Sequence, residues 1–254
     1  MNEQGGPRGR RQSPLDPEEQ GGPRGRRQSP LDPEEQGDWS AIFDMDGVLV
    51  DSSEAHFQAW HRLGVQEGKP FTRELFQLTF GMHNQQIVPM WMEHEVDQAE
   101  LDRLADWKEN TYRELVPALM RPIPGVIELI EALYQEGVTM AVGSSGPLPN
   151  IQLVLKQLNI AHYFSALSTG EDVRHGKPDP EVFLVAARRL GRAPQRCVVL
   201  EDAPQGVEAA RRGGMAVLGI TSSRAEEDLL ADRVVASFEG LVPADLRALL
   251  VEAH

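Results

Sequence analysis

The chain has 254 residues, of which 41% are hydrophobic and 25% charged, with a formal net charge of −14. That length suits one or two domains with a sizeable core, and so negative a field argues against nucleic acid and membrane surfaces as partners. A phosphorylated substrate is repelled too, so a site for one must supply its own local positive charge. The single cysteine, Cys197, cannot form an intrachain disulfide, which fits a reducing compartment. No run approaches the roughly 18 apolar residues of a membrane span, and no apolar stretch before Ala41 reads as a secretory signal. The expectation is a cytoplasmic protein, with a monomer favoured.

Residues 1–37 stand apart. The segment from Glu3 to Glu18 repeats identically from Glu19 to Glu34, and a third copy begins at Glu35 and stops at Gly37. Rich in Gly, Pro, Arg and Glu, it buries too little surface to offset the entropy of ordering, which predicts a disordered tail. A recent duplication, a translated upstream region and an arginine-bearing docking arm all fit it, although nearby acids nearly cancel the arginines.

From Trp39 the pattern becomes α/β. Residues 40–43 read as a short buried strand ended by Asp44-Met45-Asp46-Gly47. Residues 52–78 and 82–116 have a helical pattern, with breaks expected near Pro89 and Asp97. Pro122, Pro124 and Gly125 mark a boundary. Alternation then returns: helix 126–135, strand 138–142, helix 149–158, strand 164–167, helix 180–190, strand 197–200, helix 203–212 and strand 216–220. Strands alternating with helices predict a doubly wound parallel sheet, with ligands outside the carboxyl ends of its strands. The expected division is a core of 38–52 and 124–254 with an inserted all-helical cap, 53–123, placed over the ligand end.

Polar sites follow four of these strands: Asp44 and Asp46, Ser144, Lys177, and Glu201 with Asp202. In a parallel sheet those ends converge on one crevice. Several carboxylates there cannot all stay ionised without a cation, and hard oxygen ligands suit Mg²⁺. A lysine and a hydroxyl beside them suit phosphate oxygens. Ser144 lies in Gly143-Ser144-Ser145-Gly146, a turn that offers backbone N–H groups to an anion; Ser145 and Gly146 either contribute there or do not. Each motif alone also reads as a helix cap or a surface turn.

Together, Asp44-Met45-Asp46-Gly47-Val48-Leu49-Val50-Asp51-Ser52, Ser144, Lys177-Pro178 and Glu201-Asp202-Ala203-Pro204-Gln205-Gly206 resemble the haloacid dehalogenase superfamily. All four family motifs occur in order, and the likeness runs from about Ser40 to the end. The helical-cap subgroup, which includes β-phosphoglucomutase and many small-molecule phosphatases, is most similar in pattern. The resemblance implies that Asp44 attacks phosphorus to form an aspartyl-phosphate. It makes Asp46 the acid and base, and has Ser144 and Lys177 hold the transferring phosphoryl group. Asp44, the Asp46 backbone carbonyl and Asp202 would ligate Mg²⁺, with Glu201 orienting Lys177 or a metal-bound water. A second aspartate, Asp46, favours phosphorus chemistry over dehalogenation. The implied substrate is a small phosphomonoester, probed either by hydrolysis or by a mutase reaction.

In the cap, His56 either bridges Asp46 and a sugar hydroxyl or packs on a helix surface near the linker. Lys108, in a segment that resembles the mutase, either faces the substrate or is a solvated charge. One departure stands out: Asn84 lies near the position where the mutase carries a phosphate-gripping arginine, and a neutral amide cannot replace that bidentate fork. This favours hydrolysis. Met82, Trp91 and Met92 read as cap core.

Overall fold

The first strand, β1 (Ser40–Phe43), is buried at every position, as befits a strand covered on both faces. The computed structural model describes residues 37–252, together with Met1. The repeat-bearing tail therefore lies outside the described residues, except for Gly37, whose amide donates to the Gly137 carbonyl at 2.7 Å.

After β1 the chain runs through β2 (Val50–Asp51) into four helices: α1 (Ser53–Gln66), α2 (Arg73–Thr79), α3 (Asn84–Met92) and α4 (Gln98–Leu119). It returns through β3 (Arg121–Pro122), which pairs antiparallel with β2 and ties the two linkers together. The remainder alternates: α5 (Val126–Gln135), β4 (Thr139–Gly143), α6 (Leu148–Gln157), β5 (Phe164–Ser168), α7 (Glu181–Arg189), β6 (Cys197–Glu201), α8 (Pro204–Arg212), β7 (Ala216–Ile220), β8 (Arg233–Val235) and α9 (Pro243–Glu252).

The sheet has the order β5-β4-β1-β6-β7-β8, and its ladders are all parallel. Alternation sorts its side chains. Ala41, Phe43, Met140, Val142, Val198 and Leu200 join the core cluster that α5, α6 and α9 cover. Ile42, Ala141, Val199 and Val217 join the cluster that α7 and α8 cover. The chain leaves β1 toward β4 and leaves β6 toward β7, so the neighbours β1 and β6 form the switch point where ligands of such sheets bind.

The cap has its own core. Trp60 stacks on Phe71 with centroids 4.9 Å apart, and Trp91 meets both edge-on at 6.1 and 5.8 Å. Such pairs add about 0.5–1.5 kcal/mol each beyond their buried area. Trp91 is buried in this cluster and Met92 packs against its edge, as the sequence suggests; Met82 packs there too but also borders the space between cap and core.

Two expectations need correction. Pro89 does not break a helix: α3 runs through it and stops at Glu93, whose φ of 62° is left-handed. The missing N–H costs one bond, to the exposed Gln85 carbonyl, while Ile87, Val88 and Trp91 hold the helix by packing. Two elements beyond Ile220, β8 and α9, are not anticipated; β8 is a three-residue edge strand, too short to show a period.

Candidate active site

The Asp44 amide extends the β1 ladder by donating to Leu200 O at 3.0 Å, which brings Asp44 beside the end of β6. The next turn is tight, with the Gly47 amide 2.7 Å from Val50 O. Gly47 sits at φ +84°, and a Cβ there would fall 2.0 Å from Asp202 Oδ2. Glycine is needed both for the backbone angle and for the approach of the carboxylate. Ser222 and Ser223 donate to the carbonyls of Gly47 and Asp202, pinning these two loops from the end of β7.

Lys177 arrives from the loop between β5 and α7, preceding a cis Pro178. Its Nζ donates to Asp44 Oδ1 at 2.7 Å and to Glu201 Oε1 at 2.6 Å, and lies 4.7 Å from the centre of the Phe183 ring. Burial alone would lower its pKa, but the two carboxylates outweigh burial and raise it. The other oxygen of Glu201 accepts from the amides of Asp202 and Ala203, both at 2.7 Å. Glu201 is therefore fully committed to holding Lys177 and its own loop.

Asp44, Glu201 and Asp202 are buried and offer oxygens within 4.8 Å of one another. Burial raises the Asp44 carboxyl to about 7, against the opposing pull of Lys177, with Glu201 and Asp46 adding to the rise. Burial, then Glu201 and Asp44, also raise Asp202 well above the ordinary range. Asp202 Oδ2 is buried without a hydrogen-bond partner. An orphaned carboxylate oxygen in a cluster that resists ionisation fits a hard divalent cation.

The Asp46 side chain takes no part in that cluster. It accepts from Ser52 Oγ, and its Oδ1 lies 3.2 Å from His56 Nε2. Burial pushes its pKa up, but His56 and the bonds from His56 and Ser52 prevail and lower it. His56 Nδ1 lies 2.9 Å from Lys108 Nζ. An ammonium has only donors, so Nδ1 accepts and Nε2 carries hydrogen toward Asp46. His56 also stacks on Tyr112 with centroids 4.0 Å apart.

Ser144 is buried, and its hydroxyl accepts from the Gly146 amide at 3.1 Å. Ser145 Oγ is buried with no partner. A small chamber of about 40 Å³ is bounded by Asp44, Asp46, Ser144, Ser145, Lys177 and Asp202. Beyond it, between core and cap, lies a cavity of about 340 Å³, which Asp46 and Ser145 also border. Every candidate site residue, Asp44, Asp46, His56, Lys108, Ser144, Ser145, Lys177, Glu201 and Asp202, thus lies at one or both of these spaces.

Residues 41–220 match the model of a family described as haloacid dehalogenase-like hydrolases. The chain belongs to that family. A phosphorylated carbohydrates phosphatase of Thermotoga maritima is 34% identical over 180 residues, spanning 69% of this chain and 82% of that protein. The β-phosphoglucomutase of Bacillus subtilis is 31% identical over 203 residues, 77% of this chain and 88% of that one. The crystal structure of β-phosphoglucomutase from Clostridium difficile superposes with a TM-score of 0.75 at 25% identity, covering 84% of this chain and 97% of its own. This haloacid dehalogenase-like hydrolase is accordingly an enzyme with a Rossmann-like core and a helical cap.

Within it, sequence reasoning missed the surroundings of Lys108. Lys108 is 3% exposed, not solvated. It bonds Glu109 Oε1 at 2.8 Å, which also accepts from Asn84 at 2.8 Å, while Glu109 Oε2 accepts from Asn150 of α6 at 2.6 Å. A signal existed: Lys108 falls in step with the buried Leu104, Thr111, Tyr112 and Val116 of α4, the spacing of a buried helix face. His83 was missed too. Its ring packs against the core, where a Cβ on Gly170 or Gly176 would fall 2.7 or 2.2 Å from ring carbons. Burial, then Lys177, lowers its pKa.

Proposed function

We propose that this enzyme is a Mg²⁺-dependent phosphatase that hydrolyses a small phosphorylated metabolite of the sugar-phosphate class through an aspartyl-phosphate. The observation that carries this reading is the pair of adjoining spaces with Asp46 on their border. The small chamber suits a phosphoryl group, and the larger cavity suits the remainder of the substrate. Asp46 then stands where the scissile oxygen would lie. The phosphatase from Thermotoga maritima, named for phosphorylated carbohydrates, supports the substrate class.

Asp44 would attack phosphorus as the bond to the leaving oxygen breaks, giving an acyl phosphate and an alcohol. Asp46 would donate its proton to that oxygen, then take a proton from water as it attacks the acyl phosphate, releasing phosphate and restoring Asp44. An incoming phosphate is a like charge beside Asp46, so it raises the affinity of Asp46 for the proton it must deliver. Lys177, Ser144, Ser145 Oγ and the turn amides would hold the transferring oxygens. His56 would orient Asp46, and Lys108 would fix His56. Asp44, Asp202 and the Asp46 backbone carbonyl would hold Mg²⁺, with Glu201 behind them. Bound there, the ion neutralises the carboxylates and the charge of the phosphoryl group. The cap assignment, 53–123 over a core of 38–52 and 124–254, is part of the same reading, as is a cytoplasmic monomer. No described helix is long and apolar enough to cross a membrane.

Mutase chemistry is the second reading, and the relative from Bacillus subtilis favours it. A mutase must seat a second phosphate under the cap, where Asn84 is neutral and already donates to Glu109. The test runs a glucose 6-phosphate dehydrogenase-coupled assay on β-glucose 1-phosphate, primed with glucose 1,6-bisphosphate, beside a phosphate-release assay on small phosphomonoesters. Phosphate release with little isomerisation is expected; isomerisation outpacing release makes the mutase reading correct.

A further inference from the structure

The cap cavity contains a lysine whose charge is already matched. Among the described residues lining it, Lys108 is the only lysine or arginine. Its Nζ pairs with Glu109 Oε1 at 2.8 Å, deep enough that Lys108 is 3% and Glu109 8% exposed. Glu109 stays ionised: burial would raise its pKa, but Lys108, then His56, and the bonds from Lys108 and Asn84 lower it to about 2. Asn84 and Asn150 occupy its remaining acceptors. Besides Asp46 and Glu109, three carboxylates line the same cavity and are exposed: Asp102, which accepts from Gln98, and Asp106 on α4, and Glu171 on the loop after β5. None of these three meets a lysine or arginine among the described residues, and Asp106 and Glu171 have no side-chain partner there at all. Of the two histidines in the wall, His83 has its pKa lowered by burial and by Lys177, and His56 is already engaged between Asp46 and Lys108.

We infer that this cavity selects by charge, admitting phosphomonoesters whose leaving group is an uncharged polyol or carries an amine and rejecting those that carry a carboxylate or a second phosphate, with Glu109 as the specificity-determining residue. The inference rests on the phosphatase reading and narrows its substrate class. The physical reason is that a second anion finds no uncommitted cation in the wall and two unpaired carboxylates at the mouth. Like charges brought together in a partly desolvated cavity cost several kcal/mol. A neutral polyol meets amide, hydroxyl and carboxylate groups that can bond it without that cost.

The experiment measures kcat/KM for phosphate release by the full-length, Mg²⁺-loaded enzyme across a panel of phosphomonoesters grouped by leaving-group charge. The panel includes glucose 6-phosphate, glucosamine 6-phosphate, 6-phosphogluconate and glucose 1,6-bisphosphate. The best substrates are expected to be neutral or cationic in the leaving group, with anionic ones at least about tenfold poorer, a difference of about 1.4 kcal/mol or more. Glu109→Gln should raise the anionic-to-neutral ratio by about tenfold by freeing Lys108. Because Glu109 is buried and its loss can impair folding, the exposed pair Asp106→Asn/Glu171→Gln is assayed as well and should raise the same ratio by a smaller factor. An anionic leaving group among the best substrates overturns the selectivity while leaving the phosphatase intact. Ratios unmoved in both variants do the same. No phosphate release from any compound overturns both readings together.

Discussion

Lys177 spans 133 positions of sequence to place its Nζ 2.7 Å from Asp44 Oδ1, with Glu201 Oε1 at 2.6 Å on its other side. One buried cation thus holds two carboxylates that would otherwise face each other unpaired. Lys177→Met should cost about 3 kcal/mol at pH 9, since breaking a buried pair strands its charges. The loss should shrink at pH 5, because the Asp44 carboxyl, pushed up to about 7 by burial even beside the lysine, is ionised at the higher pH and protonated at the lower. Urea unfolding of both proteins at the two pH values measures it, and an equal loss at both would contradict the electrostatic origin.

Asp44→Asn tests the nucleophile. The amide is nearly isosteric but cannot attack phosphorus, so turnover should fall below about one-tenth of wild type, more than about 1.4 kcal/mol of barrier. The metal-free variant should melt no lower than wild type at pH 8, because burial already pushes the Asp44 carboxyl up to about 7 and its ionisation disfavours the folded state. Phosphate release and thermal unfolding supply the two readings; turnover near wild type rules out the covalent mechanism.

Chelation tests the carboxylate cluster. Phosphate release should stop in EDTA and return with Mg²⁺. Mg²⁺ should also raise the melting temperature, by an amount that corresponds to about 2.7 kcal/mol at a hundredfold excess over its Kd. Asp202→Asn, which alters the orphaned oxygen, should lose most of that shift. Full activity in EDTA would sink the metal assignment.

Glu109 gives a pH dependence of defined sign. Its folded pKa of about 2 lies below the ordinary 4.5. Its stabilisation is therefore present above pH 4.5 and is lost as pH falls from 4.5 toward 2, a total of about 3 kcal/mol. The stability gap between wild type and Glu109→Gln should be widest near neutrality and close through that window. Denaturation curves at pH 7, 4 and 3 check it; a gap independent of pH would assign the loss to packing instead.

The sequence by itself determined the core architecture and the end of the sheet at which the polar cluster gathers. Both follow from local rules: buried runs such as Ala216–Ile220 alternate with amphipathic helices, and parallel strands place Asp44, Ser144 and Glu201 at their carboxyl ends, with Lys177 on the loop that follows β5. What only the tertiary structure decided is which partner each charge meets. Lys108 and Glu109 are adjacent in sequence, yet their burial depends on α1 lending His56 and α6 lending Asn150. Asp44 and Asp46 are two residues apart, but one turns to Lys177 and the other to Ser52 and His56. Desolvation and pairing act through space over a few ångströms, and a linear sequence does not record which distant side chains will share that space.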